Sequence, residues 1–181
     1  SEMRGAAKTV LRIANAICNV YLTVIRGTPV MVQLLIMYFI IFASSRNDIL
    51  IATIAFGINS GAYVAEILRG GIMSIDEGQT EAGRSLGLTQ SQTMIFIVMP
   101  QAMKNILPAL VNEFIVLIKE TAVIGMISNV DLLGAAKKVQ GRTYDYFWPL
   151  ISTAVIYYVV IKIFSTILAR VEARMRKADE R

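Results

Sequence analysis

Residues 147–169 hold one charged side chain, Lys162, in an otherwise apolar run. A helix needs about 20 such residues to cross the hydrocarbon core of a bilayer. This feature limits the chain more than any other. Three further segments follow the same rule less cleanly. One covers 28–43 and is preceded by a moderately apolar run over 13–25. A second covers 49–65 and contains Asn59, Ser60 and Gly61. A third covers 106–118, is interrupted by Pro108, Asn112 and Glu113, and resumes over 122–127 beyond Lys119 and Glu120. Charged residues make up 17% of the chain, against about 25% in soluble domains. Mean hydropathy is +0.58. One small core cannot hide that much apolar surface, so lipid or other apolar chains must cover it. The fold class expected is an all-α, polytopic membrane helix bundle. Polar residues inside spans are costly against lipid and normally face a bundle interior or a watery cavity. Short, interrupted spans therefore point to transport more than to anchoring. Helix-to-helix hydrogen bonding is the competing use of such residues.

There is no histidine and one cysteine, Cys18. The usual general base, a Ser-His-Asp arrangement, an intrachain disulfide and a thiolate metal cluster are excluded together. Catalytic residues and metal sites are thus not expected. The net charge is +5, but the cations gather at the ends rather than in a stripe among aromatics, so no nucleic acid is expected. Arg4, Lys8 and Arg12 stand at the front; Arg170, Arg174, Arg176, Lys177 and Arg181 stand at the back. By the positive-inside rule both termini are expected in the cytoplasm. Four spans then place the 68–104 connection inside and a loop at 131–145 outside. Lys137, Lys138 and Arg142 in that loop run mildly against the rule. Tyr144, Tyr146 and Trp148 fall where an interfacial aromatic belt belongs.

The 69–105 connection is too patterned for a plain loop. Ser74-Ile75-Asp76-Glu77 reads as a capping box opening a helix through Leu86. Asp76, Glu77 and Glu81 fall toward its start, as the macrodipole favours. Gly87 supplies a left-handed end. Thr89-Gln90-Ser91-Gln92 is a second capping box, and its helix is expected to run to about Val98 and meet Pro100. Ala82, Gly83 and Gly87 keep one side lean, so another surface can come close. Docking on a partner and resting on lipid headgroups both fit this pattern.

Glu81-Ala82-Gly83, three residues, Gly87, nine residues, then Ile97-x-Met99-Pro100 resembles the EAA motif of permease subunits in bacterial ATP-binding-cassette importers. Gly83 stands for the second Ala and Met99 for Leu. Arg26-Gly27-Thr28-Pro29 with Gln33, Asn59-Ser60-Gly61-Ala62-Tyr63, Pro100-Gln101-Ala102 and Leu117-Ile118-Lys119-Glu120-Thr121 are similar to the polar amino-acid branch of that family. The likeness runs from about residue 20 to the end. It implies a type I importer permease with spans at about 13–43, 49–67, 100–128 and 146–169. A cytoplasmic coupling segment would lie at 70–98, with Glu81, Ala82, Gly83, Gly87, Ile97 and Pro100 coupling to an ATPase. Members usually have five spans, and the family's first is expected to be missing here.

The resemblance further implies a second permease subunit, identical or paralogous, two ATP-binding subunits and an extracytoplasmic solute-binding protein. No Gly-Lys pair occurs, so a Walker A loop is absent; ATP and Mg are expected on the partner subunit. For the transported amino acid, Glu113 is the leading candidate, positioned to meet an ammonium or a cationic side chain, with Asn112 beside it. Its alternative is an ion pair with Lys119, Lys162 or another span, or plain exposure near an aqueous rim. Asn59 and Tyr63, four apart and on one helix face, are candidates for the same cavity. A gradient-driven transporter or channel without an ATPase is the second reading, with Lys162 and Glu113 as ion sites. A membrane scaffold is the third.

Overall fold

The computed structural model describes residues 2–45, 47–127 and 131–179, with side chains over 7–45, 47–127, 131–170 and at 173. The described residues form helices joined by short turns. Four helical stretches are long and apolar enough to cross a membrane: Ala7–Gly27, Asp48–Met73, Gln90–Met126 and Phe147–Arg170. The chain divides into two compact units, Ser1–Tyr63 and Val64–Arg181.

The first unit opens with α1 (Glu2–Gly27). The segment expected as one span over 13–43 is divided here. Thr28 is a bend, Pro29 is extended at φ −62° and ψ 136°, and α2 (Val30–Ile36) begins after it. Proline bars the preceding residue from helical backbone, which ends α1 at Gly27. A π-helical turn, Met37–Ile41, follows α2. The next helix, α3 (Asp48–Met73), starts in this unit and crosses the unit boundary after Tyr63. Leu34, Ile51, Ala55 and Ala62 are buried in it. The Tyr21 hydroxyl donates to the Ile58 carbonyl at 2.5 Å, across α1 and α3. Gly61 makes room for this contact, since a Cβ there would lie 3.1 Å from the Tyr21 hydroxyl.

The second unit holds the end of α3, then α4 (Glu77–Ser85), α5 (Gln90–Thr93), α6 (Met99–Glu120), α7 (Leu132–Thr143) and α8 (Phe147–Asp179). Gly71 and Ile106 mark a close approach of α3 to α6; a Cβ at Gly71 would collide with the Ile106 side chain. The helix expected to stop at Pro100 does not stop. A π-helical turn, Met94–Val98, joins α5 to α6, and Pro100 sits in the first turn of α6. Because the helix is continuous through this turn, Pro100 withholds one ladder N–H, beside a stretch that already departs from α-helical bonding. Pro108, inside α6, removes one ladder donor. A 3-10 turn, Thr121–Met126, ends this run, and the third span's expected limit at 128 lies outside the described residues.

The segment expected as a loop over 131–145 is mostly helix. Asp131 caps α7, accepting from Leu133 N–H at 3.2 Å and Gly134 N–H at 2.8 Å. Two lysines and an arginine in a short stretch disguised a cap-to-αL helix unit. Tyr144, at φ 55°, ends it in the left-handed region.

Candidate functional site

The 77–98 hairpin carries the residues matched to the coupling motif. Its first helix is not capped as expected. Ser74 Oγ instead donates to the Gly71 carbonyl at 2.8 Å and accepts from Asn105 Nδ2 at 2.8 Å. Asp76 is the N-cap, its carboxylate accepting from Gly78 N–H at 2.7 Å. Two candidates two residues apart competed, and the carboxylate nearer the helix start won. The second box forms as read: Thr89 Oγ1 accepts from Gln92 N–H at 3.3 Å, and Gln92 Oε1 accepts from Thr89 N–H at 2.9 Å. Between the two helices Gly87 sits at φ +85°. Its N–H donates to the Arg84 carbonyl, and Leu88 N–H donates to the Gly83 carbonyl at 3.2 Å.

The two arms meet at Gly83. A Cβ there would fall 2.7 Å from Ile97 Cδ1 and 2.8 Å from Thr93 Cγ2. Thr93 is fully buried and its hydroxyl finds no partner among the described residues. Gln101 Nε2 donates to Gln79 Oε1 at 3.2 Å and to the Ile97 carbonyl at 2.9 Å, tying α4 to the root of α6. Glu81 and Ala82 remain exposed on α4, as do Pro100 on α6 and Leu86 at the tip. Thr93 was not singled out from sequence, and Gln79 and Gln101 entered only as part of the family likeness, with no role given. Their signal was weak: two glutamines and a threonine whose importance depends on the hairpin closing.

The candidates for substrate contact fall in both units. In the first unit Asn59 is 2% exposed, and its Nδ2 donates to Gln33 Oε1 at 3.0 Å. Gln33 Nε2 in turn shares its two N–H groups among the Ile25 carbonyl at 2.7 Å, the Thr28 carbonyl at 3.1 Å and Thr28 Oγ1 at 2.6 Å. The two carbonyls are groups the helix break strips of partners, so Gln33 serves as a side-chain cap held by Asn59. The Arg26 guanidinium lies over the Tyr63 ring, 5.9 Å from its centroid. In the second unit Asn112 is exposed and Glu113 half-buried on α6, beside Phe114, whose ring packs edge-on against Phe164 at 6.2 Å. Among the described residues no ion pair joins Glu113 to Lys119 or Lys162. Among the described residues there is also no cluster of three or more metal-ligating side chains.

Comparison with known proteins places these features in a family. Residues 6–177 match the family described as binding-protein-dependent transport system inner membrane component. The arginine transport system permease protein of Bacillus subtilis is 40% identical over 166 residues, covering 90% of this chain and 76% of that protein. The glutamine transport system permease protein of Escherichia coli K12 is 36% identical over 169 residues, 91% and 77% of the two chains. Among solved structures, an amino acid ABC transporter crystallised with histidines superposes with a TM-score of 0.79 at 47% identity, over 86% of this chain and 74% of that one. The inward-facing methionine transporter MetNI shares the fold at a TM-score of 0.69 and 19% identity. A family match over nearly the whole described length, with relatives this similar, leads to one conclusion: the chain belongs to the inner-membrane components of binding-protein-dependent transport systems, and is a multi-pass permease subunit.

Proposed function

We propose that this permease forms the membrane path of an ATP-driven importer for a polar amino acid, with cationic side chains favoured. A second permease subunit completes the pore. Two ATP-binding subunits, which carry ATP and Mg, supply the energy, and an extracytoplasmic solute-binding protein delivers the substrate. Both termini and the 77–98 hairpin face the cytoplasm. The observation that carries the coupling role is Leu86, 81% exposed at the hairpin tip beside Gly87 at φ +85°. A leucine held out on a rigid turn is an apolar contact waiting for a partner groove. Below it the two arms pack together through Gly83, Thr93 and Ile97, the second arm runs on into α6, and Gln101 ties α6 back to Gln79, so a push on the tip moves a span rather than a slack loop.

Glu113, with Asn112, is the proposed contact for the ammonium or guanidinium of the substrate, and Asn59 and Tyr63 are proposed to border the path. The support is chemical. A half-buried carboxylate in a span, without an ion pair to Lys119 or Lys162 among the described residues, is suited to a cationic ligand. The test is uptake in vesicles holding the assembled transporter, with arginine, lysine, histidine and glutamine as substrates. Glu113→Gln is expected to lower uptake of the cationic amino acids about tenfold or more, since a charge-assisted bond contributes roughly 1.5–3 kcal/mol. Glutamine uptake should fall less. Equal loss for all four substrates would refute the charge reading. Uptake that follows an ion gradient without ATP-binding subunits would refute the importer reading and restore the gradient-driven alternative.

A further inference from the structure

The helix α8 carries a cation inside its membrane-spanning part. Lys162 lies within the span Phe147–Arg170, and that span contains no Asp or Glu. Two contacts mark the side of α8 that packs within its unit: Thr153 is buried, and Phe164 meets Phe114. Lys162 stands nine residues beyond Thr153, which at 3.6 residues per turn is about half a turn around the helix. Thr166 and Arg170 continue the same outer stripe at i+4 spacing. Lys162, Thr166 and Arg170 line one open groove of about 350 Å³ together with Ile163 and Ile167.

Eight residues of helix separate Lys162 from Arg170 by about 12 Å. Helical side chains lean toward the N-terminus, so Arg170 leans back over the small Thr166, while Lys162 starts with the same lean and meets it by turning toward the polar boundary. The Thr166 hydroxyl is turned inward, donating to the Lys162 carbonyl at 2.7 Å, which leaves the groove floor low. A lysine here reaches for the polar boundary along an apolar wall. No Asp or Glu lies within its span, and no ion pair to it forms among the described residues. Inside the span, the counter-charge must come from outside the helix. Two cations over an apolar strip complement an anion that carries its own hydrocarbon.

We propose that Lys162 and Arg170 hold the phosphate of one acidic phospholipid, whose acyl chains run past Ile163 along Val159 and Tyr158 toward the middle of the span. This site is separate from the hairpin and from Glu113, and stands whichever amino acid is carried.

The test is native mass spectrometry of the assembled transporter in mild detergent, titrated with phosphatidylglycerol or with phosphatidylcholine. Wild type is expected to retain phosphatidylglycerol preferentially. Lys162→Gln and Arg170→Gln should each lower that retention about fivefold, and together about 25-fold, at roughly one factor of five per cation near the membrane surface. Lys162→Arg should keep it, which separates lost charge from damaged packing. Phosphatidylcholine retention should not change. Equal retention of both lipids by wild type would overturn the proposal. So would wild-type phosphatidylglycerol retention in the double variant. Efficient crosslinking of an Ile163→Cys variant to a second permease copy would overturn it too, by showing the stripe covered with protein.

Discussion

Gly83→Ala restores the residue that the EAA pattern carries at this position, and it should nevertheless loosen the hairpin. The new Cβ would lie 2.7 Å from Ile97 Cδ1, 2.8 Å from Thr93 Cγ2 and 3.1 Å from Thr93 Oγ1. Ile97 can yield, because the close atom is the tip of a half-buried side chain. Thr93 cannot yield easily: it is 0% exposed and, being β-branched, stiff at χ1. Overpacking of this kind costs about 1–3 kcal/mol. Replacing Gly by Ala inside a helix returns about 1 kcal/mol. The net loss is therefore about 0–2 kcal/mol, up to a roughly 30-fold shift in local opening. Because that range touches zero, the sharper quantity is the coupling with Thr93→Ser, which removes the Cγ2 in the way. Hydrogen exchange of the 77–98 amides in the assembled transporter reads both. Gly83→Ala should speed exchange, and the added Thr93→Ser should recover most of it, with a coupling of about 1 kcal/mol or more. Effects that add to within about 0.5 kcal/mol would refute the packing argument.

Gly87→Val places a β-branched residue at φ +85°, so ATP hydrolysis by the assembled transporter should become uncoupled from uptake or the ATP-binding subunits should dissociate; unchanged uptake per ATP would count against the coupling role. Gln33→Leu leaves the buried Asn59 amide without its partner, at about 1–3 kcal/mol, along with the more exposed Ile25 and Thr28 carbonyls, so the thermal unfolding midpoint in detergent should fall. Asn59→Ala, which removes only one of these bonds, should lower it less; the reverse order would show that Asn59 has a further role. With Cys18 replaced by Ser and a single cysteine at Gly78, a membrane-impermeant maleimide should label inside-out vesicles and spare intact cells; labelling of intact cells would reverse the orientation.

Local chemistry made much of this protein legible from its residues. Span 147–169 needed only length and hydropathy, because lipid acts on composition. Gly87 and the Thr89–Gln92 box were equally readable, because a left-handed turn and a side-chain cap are decided within four residues. The spacing from Glu81 to Pro100 carried the family. Other outcomes depended on groups far apart in sequence. Ser74 lost its expected capping role because Asn105, 31 residues on, and the Gly71 carbonyl engaged its hydroxyl, while Asp76 was free to cap. Pro100 ends no helix: a π-helical turn over Met94–Val98 runs directly into α6, and the proline sits just beyond that turn. The break at Thr28 was signalled by Pro29, but its repair by Gln33 and Asn59 required α3 to pack beside the broken ends. Gly83 reads in sequence as a lean surface, whereas folding turns it inward onto Thr93 and Ile97. Sequence fixes what a residue can bond to within its own turn of helix; which distant group claims that bond first is decided when the helices meet.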